Sequence, residues 1–172
     1  MFGRTKYKKD ILIFLDVDGV LNTTNSRVSL YEVKEDNVKA LKILVEKLEK
    51  KGYIAKLILS STWRIGYEKD LDRCLPQIKR LVMELEEKGL SIYDKTPVFN
   101  EQTRDVEIQR YIRGYRLKKE DFLYLILDDD VSVFDKETLK KLCFYRVNEK
   151  TGLTMMDVAK IMKLVIRGKN YD

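Results

Sequence analysis

Histidine is absent from this chain of 172 residues, which also has only two cysteines, two prolines and one tryptophan. The lack of histidine excludes Ser-His-Asp hydrolases, Cys-His proteases, His-ligated zinc sites and histidine general bases. Cys74 and Cys143 are not at a metal-binding spacing, and so few cysteines suit a reducing compartment. The scarcity of proline and glycine argues against a linker-rich or fibrous protein.

Long apolar runs are also absent, because no segment approaches the ~18–20 apolar residues that a membrane-spanning helix needs. The basic N-terminal segment, residues 1–10, leads into only five apolar residues, Ile11–Leu15. This run is too short for the core of a signal peptide, and Asp16 and Asp18 follow it at once. We therefore expect a cytoplasmic protein with no membrane partner.

The composition that remains suits a globular protein. Hydrophobic residues make up 44% of the chain and charged residues 36%. The length predicts a single domain over residues 1–172, since domains usually have roughly 100–200 residues. The net charge of +6 favours polyanionic partners such as nucleic acid, although charge alone does not establish such a partner.

Short apolar runs alternate with segments of helical periodicity along the chain. The runs that predict strands are 11–15, 54–59, 90–93, 122–127 and 143–147. Helical spacing of apolar residues covers 36–51, 67–88, 104–115 and 154–166, with Pro76 expected to break or restart the second segment. Strands alternating with helices imply right-handed crossovers and a parallel sheet. We predict an α/β fold, a three-layer Rossmann-like sandwich with a mostly parallel sheet of about five strands.

Two carboxylates follow the first predicted strand, in the sequence Asp16-Val-Asp18-Gly19. Open α/β sheets bind their ligands at the carboxyl ends of the strands. Residues two apart in an extended segment point the same way, so Asp16 and Asp18 can reach one reacting group. Two close carboxylates repel each other, and a divalent cation would relieve that repulsion. The alternative is an ordinary polar strand exit, in which both acids cap turns.

Polar segments stand near the ends of later predicted elements as well. Hydroxyl side chains at Ser60–Thr62 follow the second strand, and three acids, Asp128–Asp130, follow the strand at 122–127. Arg104 follows Thr103, a residue type favoured at helix N-caps, so it would lie in the first turn of a helix. The ordinary explanations for these segments are a serine-rich turn, a polar loop cap and a solvated arginine.

In their order and in their positions these segments resemble the motifs of the haloacid dehalogenase superfamily of phosphohydrolases. That pattern has a hydrophobic strand with Asp-x-Asp-Gly, a Ser or Thr after the second strand, a Lys or Arg near a helix start, and a late acidic pair. More narrowly, the sequence is similar to the small branch of this superfamily found in RNA-repair-type proteins. The segments that carry the narrower resemblance are Asp16–Asn22, Leu59–Arg64, Thr96-Pro97, Arg104-x-x-Glu107-Ile108, Ile126–Asp130 and Thr151–Thr154.

The resemblance implies a role for each acid. Asp16 would be the nucleophile that attacks phosphorus, and Asp18 the general acid and base, since no histidine can do this work. Asp128 and Asp129 would complete a metal site with Asp16 and Asp18, with Asp129 as the preferred contact, and the family's contact at residue 18 is the backbone carbonyl. Asp130 would be a loop cap. Ligation by oxygen alone indicates Mg²⁺ as the cofactor.

The resemblance also implies a phosphate-binding set. Ser61 would bind the phosphoryl oxygens through its hydroxyl and Thr62 through its amide, with Ser60 as the alternative to Ser61. Arg104 would supply the cation of the third motif, with Lys95 as the alternative. The roles of the two residues after Thr62 stay open at this point. Trp63 is expected in the core, and Arg64 is either a further phosphate ligand or a surface residue.

Access and substrate are the least determined features. The intervals between the motifs are too short for the large cap domain that most members of the superfamily insert, although residues 22–35 are expected to form a small flap. An open site admits macromolecular substrates. The segment Arg110–Lys119 has five cations, no acids and two tyrosines, Tyr111 and Tyr115. Such a segment suits nucleic acid, unless the tyrosines belong to the core and the cations to a solvated face.

We therefore expect a Mg²⁺-dependent phosphomonoester hydrolase that works through an aspartyl-phosphate, with nucleic-acid ends or nucleotides as candidate substrates. One alternative is a non-catalytic nucleic-acid-binding or interaction module of a repair assembly. Another is a phosphatase of small metabolites. The sequence leaves the substrate and the oligomeric state open.

Overall fold

A computed structural model of the chain describes residues 8–23, 32–99, 103–119, 121–136 and 143–167. The strands are β1 (Lys9–Leu15), β2 (Tyr53–Leu59), β3 (Ile92–Lys95), β4 (Phe122–Asp128) and β5 (Phe144–Arg146). The helices of the described ranges are α1 (Glu35–Lys50), α2 (Pro76–Glu87), α3 (Arg104–Arg116) and α4 (Met155–Arg167). Short 3₁₀ turns cover Thr62–Gly66, Leu71–Arg73 and Val131–Val133.

The five strands form one parallel sheet in the order β3-β2-β1-β4-β5. β1 lies in the middle, where its residues from Asp10 to Leu15 are all buried. A strand that is covered on both faces needs apolar side chains at consecutive positions, which explains the continuous run Ile11–Leu15. The expected α/β sandwich is thus confirmed, with a sheet that is fully rather than mostly parallel.

Alternate residues of β1 enter two separate cores, which makes the protein a three-layer structure. Ile11, Ile13 and Leu15 pack with α1, α2 and α4 on one face of the sheet. Leu12 and Phe14 pack on the other face with α3. Because successive side chains of a strand point to opposite faces, one short run of sequence fills both cores.

Most predicted elements are confirmed, and two differ. β3 begins two residues later than the predicted run at 90–93. The segment 67–75 forms no long helix but includes the 3₁₀ turn at Leu71–Arg73, and α2 begins at Pro76 itself. Proline suits the first position of a helix because the amide that it lacks has no helical partner there. It therefore starts this helix instead of interrupting a longer one.

The loop from 147 to 154 is held against the first strand exit. Asn37, in the first turn of α1, donates from Nδ2 to the carbonyls of Thr151 and Leu153 at 3.0 and 2.8 Å. Gly152 has φ +67°, and a Cβ there would lie 2.7 Å from Asn37 Nδ2, so glycine is required. The amide of Leu153 donates to the carbonyl of Val20. These contacts give the 151–154 segment a structural role.

Two predicted segments fall partly outside the described residues. Of the basic segment 1–10, only residues 8–10 are described, and Lys9 and Asp10 already belong to β1. Of the flap predicted at 22–35, residues 24–31 lie outside the described ranges, while Asn22 and Thr23 are buried. In the same described ranges there is no large cap domain, and none of the helices is long and apolar enough to cross a membrane.

Candidate active site

The exits of the two central strands bring three carboxylates together. β1 and β4 are neighbours in register, with Leu15 opposite Leu127, and the amide of Asp16 donates to the carbonyl of Leu127 at 3.0 Å. At this edge, Asp16 follows β1, Asp128 is the last residue of β4, and Asp129 comes directly after it. Ligand oxygens of these three acids, the carboxylate cluster, all lie within 4.8 Å of one another. Parallel pairing therefore places residues far apart in sequence at one point.

Gly19 makes room for the carboxylate cluster. It has φ +75°, a backbone conformation that other residues rarely adopt. A Cβ at this position would lie 2.6 and 2.8 Å from the two carboxylate oxygens of Asp129. The glycine of the Asp-x-Asp-Gly motif is thus required for the turn and for the space that Asp129 occupies.

Arg104 supplies positive charge to the cluster. Its Nη1 lies 3.3 Å from Asp16 Oδ1 and also contacts Asp128 Oδ2. Arg104 is the first residue of α3, where the helix dipole disfavours a cation. The two carboxylates compensate for that placement, so a position that is poor for the helix alone becomes favourable in the assembled site.

One guanidinium does not balance three buried or half-buried acids. Burial raises the pKa of Asp16, and the neighbouring carboxylates raise it further, although Arg104 opposes them. The pKa values of Asp128 and Asp129 are also raised, in both cases first by burial. The described site thus lacks positive charge, and its donors are the hard oxygens that Mg²⁺ prefers. Asp16, Asp128 and Asp129 fit a divalent cation.

Asp18 lies outside the carboxylate cluster and is held by two other side chains. Its Oδ1 accepts from Asn22 Nδ2 at 2.8 Å, and its Oδ2 accepts from Trp63 Nε1 at 3.0 Å. Asn22 also accepts from the amide of Gly19 at 3.0 Å, which ties the first strand exit into a closed turn. The Asp18 carboxylate is exposed and oriented, so it is available to exchange a proton with a substrate.

The serine turn, residues 60–62, follows β2 beside the end of β1. The amide of Ser60 donates to the carbonyl of Leu15 at 3.0 Å. Ser60 and Ser61 are fully buried and Thr62 is exposed. Ser61 Oγ caps the following 3₁₀ turn by accepting from the amide of Trp63, whereas Ser60 Oγ has no partner among the described residues. Both hydroxyls keep a proton to donate, so the choice between them stays open.

Of the two residues after the serine turn, Arg64 is placed differently from the sequence expectation and Trp63 is placed as expected. Arg64 is neither on the surface nor pointing to a ligand: it is buried and pairs with Glu107 of α3 through Nη2. Trp63 is in the core as expected, yet its ring nitrogen reaches Asp18. The helical position of Glu107, three residues after Arg104, was visible in the sequence, but nothing there indicated its partner.

Lys95, the alternative to Arg104, and Asp130, the expected loop cap, both lie apart from the carboxylate cluster. Lys95 donates from Nζ to the carbonyl of Tyr67 and pairs with Glu68 at 3.3 Å. Asp130 is exposed and accepts from the amide and the hydroxyl of Ser132, which makes it the loop cap that was expected. Arg104, not Lys95, is therefore the described cation that contacts Asp16.

The cation-rich segment 110–119 lies toward the far end of α3. A helix rises about 1.5 Å per residue, so Arg116 is roughly 18 Å from Arg104 along the axis. Tyr115 is buried and bonded to Asp10, and Tyr111 donates to Asp94 at 3.0 Å and packs edge-on against Phe14. The tyrosines thus belong to the core, as the second interpretation expected, and do not form a stacking surface.

A parallel α/β sheet with acids after its two central strands and a cation on the neighbouring helix is the arrangement of haloacid dehalogenase (HAD) superfamily phosphohydrolases. The family described as "HAD domain in Swiss Army Knife RNA repair proteins" matches residues 12–158. The chain belongs to this family. Membership supports phosphatase activity in general, and the superfamily generally uses Mg²⁺, which agrees with the carboxylate cluster.

Other comparisons are distant. No curated protein matches the chain. A solved Vibrio cholerae protein named as a 3-deoxy-D-manno-octulosonate 8-phosphate phosphatase is 14% identical, with a TM-score of 0.43. The match covers 96% of this chain and 88% of that one. Similarity at this level carries no argument about substrate.

Proposed function

We propose that this protein is a Mg²⁺-dependent phosphomonoester hydrolase that works through an aspartyl-phosphate on Asp16. The observation that carries the proposal is the meeting of Asp16, Asp128, Asp129 and Arg104 at one sheet edge, with Asp18 oriented beside them. Apolar residues would pack at the carboxyl ends of adjacent strands at a lower cost in free energy than these four charged groups. Packing therefore does not explain why the charged groups are there.

In the first step, an Asp16 oxygen attacks phosphorus and the bond to the leaving oxygen breaks, while Asp18 gives that oxygen its proton. In the second step, Asp18 takes a proton from water, which attacks the acyl-phosphate and releases inorganic phosphate and free Asp16. Arg104 offsets the negative charge of the nucleophile and the phosphoryl oxygens. Ser61, or Ser60 in its place, and the amide of Thr62 bind those oxygens.

Asp16, Asp128 and Asp129 would hold Mg²⁺, and the carbonyl of residue 18 would join them if the resemblance to the superfamily extends to that contact. The ion would neutralise charge on the phosphoryl oxygens and the carboxylates, which Arg104 alone does not do. A cytoplasmic location remains a prediction from the sequence.

Nucleic-acid ends are the substrate class that we favour. Three features support it: the description of the family as domains of RNA repair proteins, the net charge of +6, and the exposed Arg113 and Arg116 on α3. Because Arg116 lies roughly 18 Å from Arg104, only a substrate several nucleotides long would reach both. Backbone phosphates at that distance would add binding energy to the reacting end.

The test begins with a panel of phosphomonoesters, including a 5′- and a 3′-phosphorylated oligonucleotide and a small sugar phosphate. We expect hydrolysis that requires Mg²⁺, is lost in EDTA, and is abolished by Asp16→Asn. Trapping of a labelled phosphoryl group on the wild-type protein but not on Asp16→Asn would identify the nucleophile. Wild-type rates in Asp16→Asn would refute the assignment. Ser60→Ala and Ser61→Ala, compared by inorganic phosphate inhibition, decide between the two serines.

The substrate class has its own test. kcat/KM for the oligonucleotide should fall steeply as salt rises, whereas that for the small ester should change little. Arg113→Glu with Arg116→Glu should remove the oligonucleotide advantage and leave the small ester unaffected. Equal efficiency and equal salt dependence would indicate a phosphatase of small metabolites. Salt-sensitive binding of nucleic acid without any hydrolysis would indicate a binding module.

A further inference from the structure

Behind the serine turn lies a buried pair of opposite charges, Arg64 and Glu107. Arg64 is 7% exposed and Glu107 is 2% exposed. Arg64 Nη1 donates to the carbonyls of Ser60 and Ser61 at 3.2 and 2.8 Å, and Nη2 donates to Glu107 Oε2 at 2.5 Å. The other oxygen of Glu107 accepts from the amide of Phe99 at 3.2 Å. One guanidinium thus joins the end of β2 to α3.

This pair connects two groups that bind the phosphoryl group in the proposed mechanism. Arg64 holds the serine turn by the carbonyls of Ser60 and Ser61, so the hydroxyl protons of both serines remain available to a ligand even though Ser61 Oγ accepts from the amide of Trp63. Glu107 lies three residues after Arg104, on the first turns of α3, so its contact with Arg64 fixes the helix end that carries Arg104. A shift between the turn and the helix would move the donors of the two groups apart.

Stability alone does not account for this arrangement. Buried ion pairs often contribute no more than well-packed apolar residues of the same volume. Arg64 Nε is also buried without a hydrogen-bond partner among the described residues, which adds a desolvation cost. The guanidinium presents two separate nitrogens, so Nη1 binds both carbonyls while Nη2 binds the carboxylate, whereas an ammonium would have to reach all three acceptors from one nitrogen. The residue types thus match a geometric requirement.

We infer that Arg64 and Glu107 are positioning residues that hold the serine turn and Arg104 at the separation that a bound phosphoryl group requires. This inference rests on the proposed function. It assigns a role to the Arg-x-x-Glu spacing in α3: Arg104 faces the reacting group, and Glu107 holds its helix in place through Arg64. The carboxylate cluster lies at the ends of β1 and β4, and the pair reaches it only through Arg104.

The experiment compares Arg64→Lys and Glu107→Gln with wild type at a temperature where circular dichroism shows all three folded. The readouts are the inhibition constant of inorganic phosphate, the Mg²⁺ dissociation constant by calorimetry and the emission of the single tryptophan. We expect phosphate binding to weaken by about tenfold or more and kcat to fall by roughly 10- to 100-fold. Mg²⁺ affinity should change less than phosphate affinity, since the three carboxylates stay at the ends of β1 and β4 and only their contact with Arg104 is altered.

Trp63 reports on the turn without any substrate, because it lies between Ser61 and Arg64 and is the one tryptophan in the chain. Its emission maximum or its quenching by acrylamide should change in both variants. The matched control is Asp10→Asn, which disrupts another buried carboxylate paired with cations at the opposite edge of the sheet. It should lower the melting temperature yet leave phosphate inhibition and tryptophan emission unchanged in the folded protein.

The double variant Arg64→Met with Glu107→Leu separates positioning from stability. Replacing both charges with apolar side chains should restore the melting temperature toward wild type, because no uncompensated charge is left buried. Phosphate binding should remain weak, because the carbonyls of Ser60 and Ser61 have lost their shared donor. Recovery of phosphate binding along with stability would overturn the inference, as would single variants that change only the melting temperature.

Failure of this inference differs from failure of the proposed function. If the wild-type protein neither hydrolyses the phosphomonoester panel nor binds inorganic phosphate with Mg²⁺, the proposed function is wrong and the inference falls with it. If wild type binds phosphate and both single variants bind it equally well, only the positioning role is wrong.

Discussion

Replacement of Trp63 by phenylalanine tests how the Asp18 carboxylate is oriented. The ring nitrogen of Trp63 donates to Asp18 Oδ2 at 3.0 Å, and phenylalanine keeps an aromatic ring but removes this donor. A hydrogen bond to a charged group contributes about 1.5–3 kcal/mol. Asp18 is exposed, so water can replace the donor, and Asn22 still holds Oδ1. We therefore expect a loss at or just below the lower end of this range, about 1–1.5 kcal/mol.

That loss corresponds to a fall in kcat of about 5- to 15-fold, since about 1.4 kcal/mol is a factor of ten. It should appear in kcat more than in KM, because in the proposed mechanism Asp18 moves a proton and does not bind the phosphoryl group. The Mg²⁺ dissociation constant should not change, because Asp18 lies outside the carboxylate cluster. The smaller ring leaves space in the core, so the free energy of unfolding should also fall by about 1–2 kcal/mol.

The assay is steady-state hydrolysis of the best phosphomonoester at saturating Mg²⁺, with folding checked by circular dichroism. Tyr67→Phe is the matched control, because Tyr67 is a buried aromatic residue of the same core whose hydroxyl donates to the carbonyl of Ile92 and not to Asp18. It should leave kcat near the wild-type value. A kcat for Trp63→Phe equal to that of the control would refute the orienting role of the tryptophan.

Three further predictions concern the metal site and stability. Gly19→Ala should weaken Mg²⁺ binding by about tenfold or more in calorimetry, because its Cβ meets the Asp129 carboxylate and its φ is positive. Asp129→Ala should raise the Mg²⁺ concentration for half-maximal activity far more than Asp130→Ala, since only the former belongs to the cluster. Burial opposes ionisation of Asp10, but hydrogen bonds from Lys119, Tyr115 and Lys56 hold its pKa below the ordinary value. Asp10 thus stabilises the fold above about pH 4, and this contribution is lost as the pH falls through its folded pKa. Urea unfolding of Asp10→Asn should show a loss of about 2–3 kcal/mol at pH 7 that shrinks toward pH 2; an equal loss at both values would contradict the argument.

The charge balance of the site has a consequence for the protein without metal. Asp16 and Asp128 are 4% and 0% exposed, and Arg104 is the described cation that contacts both. Repulsion among buried acids lowers the free energy of unfolding. A ligand that binds only the folded protein raises that free energy again once it is present. Under the proposed function, the site trades folding stability for affinity toward a cation and a phosphoryl group.

The elements of this fold follow from local pattern. A continuous apolar run such as Ile11–Leu15 predicts a strand covered on both faces, and the 3.6-residue spacing in 36–51 predicts α1. Thr154 and Asp157 form the reciprocal cap that their spacing suggests, with the Thr154 amide 2.8 Å from Asp157 Oδ2. Of the two outcomes expected at Pro76, a break or a restart, the structure shows a restart, because proline suits the first position of a helix. The segment 67–75 differs from the expected helix, with a 3₁₀ turn at Leu71–Arg73.

The carboxylate cluster was also predictable from the sequence, for a topological reason. Once 11–15 and 122–127 are assigned to neighbouring parallel strands, the acids that follow each must meet at the same edge of the sheet. No side-chain detail enters that argument. The resemblance to the haloacid dehalogenase motifs named Asp16, Asp128 and Asp129 before the structure, together with Asp18, which lies outside the cluster. It named Arg104 with Lys95 as the alternative.

Only the tertiary structure determined how these groups are held. Trp63 reaches Asp18 across 45 residues of sequence, and Arg64 reaches Glu107 across 43. No periodicity or motif in the sequence predicts either contact, because each depends on how a short 3₁₀ turn packs against a loop and a helix. Local sequence determines which segments become strands and helices, whereas the pairing of side chains between segments depends on the close packing of the assembled core.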